Sequence, residues 1–144
     1  MPTDFSNTSA ILIVPPERSM DVIDAFVSKE YKVFSLDGSG INSKAELLRS
    51  LSQVMKFPDY FGSNWDALEE CLNDLEWLPA KGYVIQLKNA DNFIKSYPSD
   101  FAVFTKIVES ASYSWKIKKV DFVLIVETNN PNIATQMPST EKTN

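Results

Sequence analysis

The sequence predicts an α/β domain in which a small parallel β-sheet is covered by helices. Four short apolar runs alternate along the 144-residue chain with segments whose apolar residues recur at helical spacing. The first run stops at Pro15, and the second ends in the turn residues from Asp37 to Gly40. Strands separated by helices favour parallel pairing, because each helical crossover returns the chain to the same end of the sheet.

The predicted elements follow one another in the order β-α-β-α-α-β-α-β. The strands are predicted at Ile11–Val14, Lys32–Leu36, Tyr83–Leu87 and Phe122–Val126. The helices are predicted from Met20 to Lys29, between Ser43 and Pro58, from Asn64 to Pro79, and after Ser99. Ser43 with Glu46, and Ser63 with Asp66, match the sequence signature of a helix N-cap, and Ser99 is expected to cap the last helix.

The length suits one domain with a core of its own. We expect a flexible N-terminal tail over residues 1–9, a folded domain over residues 10–127, and a flexible polar C-terminal tail over residues 128–144. No apolar run is long enough to span a bilayer, and no secretory signal is recognisable. The single cysteine, Cys71, fits a reducing compartment, so we expect a cytoplasmic protein.

The chain contains no histidine. This removes the commonest general base, the commonest metal ligand and every nucleophilic device that pairs Ser or Cys with His. Zinc sites built from Cys and His are excluded for the same reason. Carboxylate, lysine or tyrosine chemistry is what remains for an enzyme.

Negative charge is concentrated in residues 57–80, FPDYFGSNWDALEECLNDLEWLPA, which hold six carboxylates and no Lys or Arg. The whole chain has 14 basic and 19 acidic residues, for a net charge of −5, so the rest of the chain carries +1. A patch of this sign repels phosphate backbones and attracts a basic partner.

The predicted helix in this segment has two faces. Its apolar stripe consists of Trp65, Leu68, Cys71, Leu72 and Leu75, and its opposite face of Asp66, Glu70, Asn73, Asp74 and Trp77. Asp66 with Glu70, and Glu70 with Asp74, are like-charge pairs that each weaken an isolated helix by about 0.2–0.5 kcal/mol. Taken alone, such a face is most often solvated surface, and Asp66 can equally be a helix cap.

Residues 58–72, PDYFGSNWDALEECL, resemble the most distinctive segment of the barstar family, a P-x-Y-[YF]-G-x-N-x-D-A-L loop that runs into an acidic helix. The matching residues are Pro58, Tyr60, Gly62, Asn64, Asp66, Ala67, Leu68, Cys71 and Leu72. The order of elements is similar to that of the family from Lys32 to Glu127. The resemblance therefore implies a barstar-like parallel sheet of three family strands, with residues 10–30 adding an extra N-terminal strand and helix.

Barstar-like proteins are intracellular inhibitors of small basic ribonucleases. The resemblance implies a bacterial inhibitor or immunity protein whose loop and acidic helix block the nuclease's active site, with carboxylates in place of RNA phosphates. Its partner would be a basic ribonuclease or toxin nuclease domain. The resemblance implies no enzymatic activity, no catalytic residue, no metal, no cofactor, and no direct contact with nucleic acid or membrane.

The resemblance also assigns residues to the contact. Tyr60 resembles the loop aromatic that packs on the nuclease, and Gly62 and Asn64 shape the loop. Asp66 and Glu70 take the places of two helix carboxylates that meet cations of the active site. In the prototype-like members the second of these is usually aspartate.

Three further residues are assigned with departures from the family pattern. Asn73 occupies a polar contact position one turn on, and Glu109 on the later helix aligns loosely with another acidic contact. Glu69 stands where the prototype has tryptophan, which points to a target different from the prototype's nuclease.

Two other kinds of function are weighed against inhibition of a ribonuclease. The alternative is an acidic interaction module, or an immunity protein, that binds another basic protein or a toxin that is not a ribonuclease. An enzyme using Asp66 and Glu70 as a carboxylate pair is disfavoured, because one helical turn points both groups the same way rather than across a substrate bond. A divalent-cation site is also disfavoured, because the segment lacks a loop with alternating oxygen ligands.

Overall fold

The computed structural model describes residues 10–58 and 62–130. The strands are β1 (Ile11–Val14), β2 (Lys32–Asp37), β3 (Gly82–Lys88) and β4 (Asp121–Glu127). The helices are α1 (Pro16–Ser28), α2 (Lys44–Val54), α3 (Trp65–Asp74), α4 (Asp91–Ser96) and α5 (Pro98–Ile117), and a short 3₁₀ turn covers Gly38–Gly40. No helix in this described part of the chain is long and apolar enough to cross a membrane.

All four strands form one parallel sheet in the order β1-β4-β3-β2, which confirms the predicted fold class. The predicted extra strand is confirmed as well, because Ile11 pairs with Leu124 and Val14 with Glu127 in parallel register. The connection through α1 carries the chain from one edge strand to the other. The remaining crossovers then step back across the sheet one strand at a time.

Helices α2 to α5 and one face of the sheet enclose the larger core. Strand residues such as Ile85 and Leu124 meet helix residues such as Leu48, Leu72 and Phe104, all fully buried. The alternation of side chains along a strand directs every second residue to this face. This side of the sheet therefore holds α3, the helix with the predicted site.

Helix α1 covers the opposite face of the sheet. Its Ile23 and Phe26 pack with Val84, Val123 and Ile125 in a second, smaller core. Both faces of the central strands are thus buried, which explains why FVLIV reads as a continuous apolar run rather than an alternating one.

A buried polar link fixes α1 on this second face. Gln86 is 5% exposed, and its Nε2 donates a hydrogen bond to Ser19 Oγ at 3.0 Å. Ser35 Oγ donates to Gln86 Oε1 at 2.6 Å, so the network joins α1, β3 and β2. A buried amide without partners would cost several kcal/mol, which makes this arrangement specific for one placement of α1.

Several predicted boundaries shift. Helix α1 begins at Pro16, four residues earlier than expected, because proline suits the first turn of a helix. Helix α4 was not predicted, and Ser99 does not cap α5, which begins at Pro98 with no side-chain cap. Thr128, the first residue of the expected C-terminal tail, is 4% exposed and donates its hydroxyl hydrogen to Asp91.

The turn after β2 brings the carboxyl ends of β2 and β3 into close contact. Asp37 Oδ1 accepts hydrogen bonds from the Ser39 amide at 3.1 Å, the Ser39 hydroxyl at 2.7 Å and Asn89 Nδ2 at 3.0 Å. The bond from Asn89, followed by those from Ser39, lowers the pKa of Asp37. A Cβ atom on Gly38 would lie 2.7 Å from the Asn89 carbonyl oxygen and 2.8 Å from that of Lys88.

We predict that Gly38→Ala lowers the free energy of unfolding by about 1–3 kcal/mol, because the added methyl group meets backbone that cannot rotate away. Gly40→Ala is the matched control, since no atom lies within 4 Å of a Cβ at Gly40 and its φ is not positive. The control should change stability by less than about 1 kcal/mol. Urea unfolding of both variants measures the difference, and equal effects would contradict the contact at Gly38.

Candidate functional site

Helix α3 begins with a cap that differs from the predicted one. Asn64 is extended, with φ −138° and ψ 173°, and its Oδ1 accepts a hydrogen bond from the Ala67 amide at 2.8 Å. Ser63 has a φ of 56°, which is left-handed backbone and unsuited to an N-cap. The prediction that Ser63 caps this helix is therefore wrong by one residue, and Asp66 lies in the first turn rather than at the cap.

The apolar stripe of α3 is buried as predicted. Leu68 and Leu72 are fully buried, Cys71 is 3% exposed, and Trp65 is half-buried at the start of the helix. The helix ends at Asp74 instead of continuing to Pro79, because Leu75 adopts a left-handed conformation that stops it. The buried stripe fixes which side of α3 faces the solvent.

Trp77 does not lie on the acidic side of the helix as predicted. It follows the end of α3, and its Nε1 donates a hydrogen bond to the Met55 carbonyl oxygen at 3.0 Å. Its ring meets Phe57 edge-on, with centroids 6.1 Å apart. Trp77 therefore joins the loop after α3 to the end of α2.

The outward side of α3 presents Asp66, Glu70 and Asn73, which we term the acidic face. Their spacing of four and three residues places them on one stripe. Asp66 and Glu70 are exposed and Asn73 is half-buried. Among the residues that the structure describes, no Lys or Arg forms an ion pair with Asp66 or Glu70.

Glu69 flanks the acidic face on the side of α5. Its Oε2 accepts a hydrogen bond from Ser110 Oγ at 3.1 Å, and its carbonyl oxygen accepts one from Asn73 Nδ2 at 2.7 Å. These bonds restrict the Glu69 and Asn73 side chains before any partner arrives. Glu70 has no comparable restraint within the described residues.

Glu109 is not brought to the acidic face. Ser110 and Trp115 of α5 both donate hydrogen bonds to α3, the latter from Nε1 to the Leu72 carbonyl oxygen at 2.7 Å. At about 100° per residue, Glu109 lies about 170° around α5 from the direction midway between these two contacts. Its predicted part in the same contact needs a partner that reaches over α5.

The loop before α3 is described only in part. Gly62 is exposed, and a Cβ there would lie 3.4 Å from Asn64 Nδ2, so the loop runs close to the helix cap. Tyr60, the predicted aromatic contact, lies outside the described residues.

One cation at the start of α3 was missed by sequence reasoning. Lys44, the first residue of α2, places its Nζ 5.3 Å from the centroid of the Trp65 ring. The two residues are 21 positions apart, and no sequence pattern links them. The acidic face is thus bordered by a positive charge that the sequence segment itself lacks.

Cys71 is inert as a nucleophile in this setting. Burial raises the pKa of its thiol, and the nearby carboxylates of Asp74 and Glu70 raise it further. The thiol therefore stays protonated at neutral pH and packs as a small apolar group. Within residues 10–58 and 62–130, no three His, Cys, Asp or Glu side chains are grouped so that they could hold a metal ion.

Comparisons with known proteins agree on one family. Residues 31–127 match the family model described as "Barstar (barnase inhibitor)". A Bacillus subtilis (strain 168) protein named "Putative ribonuclease inhibitor YrdF" is 28% identical over 92 residues, which cover 64% of this chain and 94% of that protein. Strand β1 and helix α1 lie outside the family match.

We predict that Asn64→Ala lowers the free energy of unfolding by about 1 kcal/mol, because the Ala67 amide loses its cap. Ser63→Ala is the control for the cap position and should have a smaller effect, since Ser63 makes no cap bond. Thermal unfolding of both variants measures the difference. If Ser63→Ala costs more than Asn64→Ala, the assignment of the cap is wrong.

Proposed function

The chain belongs to the Barstar family, and we propose that it inhibits a small basic ribonuclease by placing the acidic face of α3 and the preceding loop in the enzyme's active site. The family match supports a role like that of a barnase inhibitor. The manner of inhibition and the choice of residues are our proposal.

The observation that carries the proposal is the state of Asp66 and Glu70. Both carboxylates are exposed, one helical turn apart, and without a Lys or Arg partner among the described residues. Glu70 also faces Asp74 at the same spacing, so the helix bears two repulsive pairs of about 0.2–0.5 kcal/mol each. A helix selected only for stability would have a cation at one of these positions, whereas a surface that receives the cations of a partner must leave the carboxylates free.

Each residue of the site has a proposed part in the contact. Asp66 and Glu70 bind Arg or Lys side chains that otherwise hold the RNA phosphates. A bidentate Arg–carboxylate pair excluded from water is strong and directional. Asn73 and Glu69, held by their bonds within α3 and to α5, form the border of the contact.

The loop residues act through shape. Asn64 fixes the start of α3, so that Asp66 leaves the helix in a constant direction. Gly62 keeps the loop close to that cap, and Tyr60 is proposed to pack on the nuclease. Glu109 would take part only with a nuclease large enough to contact the outer side of α5.

The alternative partner is another basic protein or a toxin that is not a ribonuclease. The observation that favours it is at the border of the site, where Glu69 is engaged with Ser110 and Lys44 lies over Trp65. A partner that tolerates a lysine next to the first carboxylate must have a neutral or acidic group there. Inhibition assays with small basic ribonucleases, barnase first, distinguish the two, because the alternative leaves RNA cleavage unchanged.

We predict that Glu70→Ala weakens binding to the inhibited ribonuclease by about 2–5 kcal/mol, more than Asp66→Ala and far more than Glu69→Ala or Asp74→Ala. Glu70 lies in the middle of the acidic face, where a cation of the partner would lose its water and be left unpaired by the substitution. This range was established on the barnase–barstar pair of the same family, so it sets a scale and is not independent. Titration calorimetry measures the change.

The control for charge is Asp24→Ala, which removes an exposed carboxylate from α1 on the other side of the sheet. It should change binding by less than about 1 kcal/mol. Glu70→Ala itself should leave the melting temperature unchanged or slightly higher, because two repulsive pairs disappear. A variant that binds normally but unfolds early would mean that Glu70 is structural and that the contact lies elsewhere.

A further inference from the structure

The amino ends of three strands bring a second charged surface together. The turn 29–32 precedes β2, the turn 81–82 precedes β3, and the segment 116–121 precedes β4. The register places Gly82 beside Asp121, and Tyr31 donates its hydroxyl hydrogen to Asp121 Oδ2 at 2.6 Å. We term these three segments the basic edge.

The basic edge carries positive charge within an acidic protein. Its cations are Lys29, Lys32, Lys81, Lys116, Lys118 and Lys119, and its anions are Glu30 and Asp121. Six cations and two anions give a net +4, so the rest of the chain, whose total is −5, carries −9. The separation of charge inside the molecule is therefore much larger than its net charge.

Helix ends account for part of this arrangement. Helices α1 and α5 both end at the basic edge, where a cation in the last turn stabilises a helix by about 0.3–1 kcal/mol. Lys116 is placed to act in this way on α5. Lys32 and Lys81 belong to strand starts rather than helix ends, so helix stability does not explain why they join the same surface.

Exposed apolar side chains adjoin the basic edge on α5. Tyr113 is 71% exposed and Ile117 is 68% exposed, one turn apart on the helix, with Lys116 next to Ile117. Lys118 extends over Trp115, with its Nζ 4.6 Å from the ring centroid. Cations beside exposed apolar groups suit a partner that is acidic and folded, because both charge and apolar area can be buried.

We propose that the basic edge, with Tyr113 and Ile117, binds the acidic face of α3 on a second copy of this chain. The charges are complementary, since the segment 57–80 carries −6 and the basic edge +4. A long nucleic acid fits less well, because the −9 elsewhere on the molecule repels a polymer of phosphates.

The two surfaces differ, so the contact is head-to-tail. Such a contact leaves one acidic face and one basic edge unoccupied in every dimer, and assembly continues to longer chains or closes into a ring. Because the contact uses the acidic face, it would compete with the nuclease binding proposed above. The proposal is nevertheless tested without any nuclease, so that either proposal can fail while the other stands.

The test is sedimentation equilibrium of the full chain at ionic strengths of about 0.01 M and 1 M, where the Debye length is about 30 Å and 3 Å. The wild type should show a weight-average mass that rises with concentration at low salt and stays that of a monomer at high salt. A wild type that remains monomeric up to about 1 mM at low salt, a weak-affinity limit near −4 kcal/mol, overturns the proposal. Binding of a single-stranded RNA oligonucleotide by such a monomer would assign the basic edge to nucleic acid instead.

Two double variants separate the surfaces. Asp66→Asn with Glu70→Gln removes the acidic face, and Lys116→Gln with Lys118→Gln weakens the basic edge. Each variant alone should be monomeric, whereas an equimolar mixture should form dimers and nothing larger, because only one complementary pair of surfaces remains. A mixture that stays monomeric, or a single variant that assembles like the wild type, contradicts the head-to-tail contact.

The matched control is Asp21→Asn with Asp24→Asn on α1, which removes the same charge from exposed residues on the other side of the sheet. It should still assemble. Loss of two carboxylates reduces the repulsion between like-charged molecules, so a general charge effect would increase assembly in both carboxylate variants. Loss of assembly in the acidic-face variant alone is therefore specific for the proposed contact.

Discussion

The packing of α3 against α5 and the sheet is the interaction on which the acidic face depends. Leu68 and Leu72 are fully buried, and Trp115 of α5 bonds to the Leu72 carbonyl oxygen. A ten-residue helix with repulsive carboxylates would be marginal in water on its own, so its stability must come from this buried stripe. The same burial prevents rotation of α3, and Asp66 and Glu70 keep a fixed direction that a partner can match without reordering them.

The N-terminal strand and helix change the sheet that the family match covers. Without α1, the side chains of Val84, Val123 and Ile125 on the second face would be exposed to water. Strand β1 in turn covers β4, which would otherwise be an edge strand. The result is a three-layer domain in which the acidic face lies on one side and the added helix on the other. The addition therefore stabilises the scaffold from the side that the proposed nuclease contact does not use.

Local patterns in the sequence predict the sheet well and the start of α3 less well. The apolar run Ile11–Val14 is a strand with the predicted bounds, because a short β-branched run between turn signals has few alternatives. Ser63 and Asn64 are both good caps by residue type, and the choice between them depends on the backbone of Ser63, which the loop sets. The approach of Lys44 to Trp65 arises from tertiary packing alone and has no local signal. Charge and spacing predict the composition of the acidic face, whereas its border depends on contacts between helices.

The central claim is that the acidic face occupies the site where a ribonuclease holds RNA phosphates. The most direct measurement is the dissociation constant of the inhibitor–ribonuclease complex at rising concentrations of a ribonucleoside 3′-monophosphate. If both bind the same place, the apparent dissociation constant should rise in proportion to the nucleotide, about 100-fold at 100 times the nucleotide's own dissociation constant, or about 2.7 kcal/mol. A dissociation constant that does not change would show that inhibitor and nucleotide bind together, and would contradict phosphate mimicry by Asp66 and Glu70.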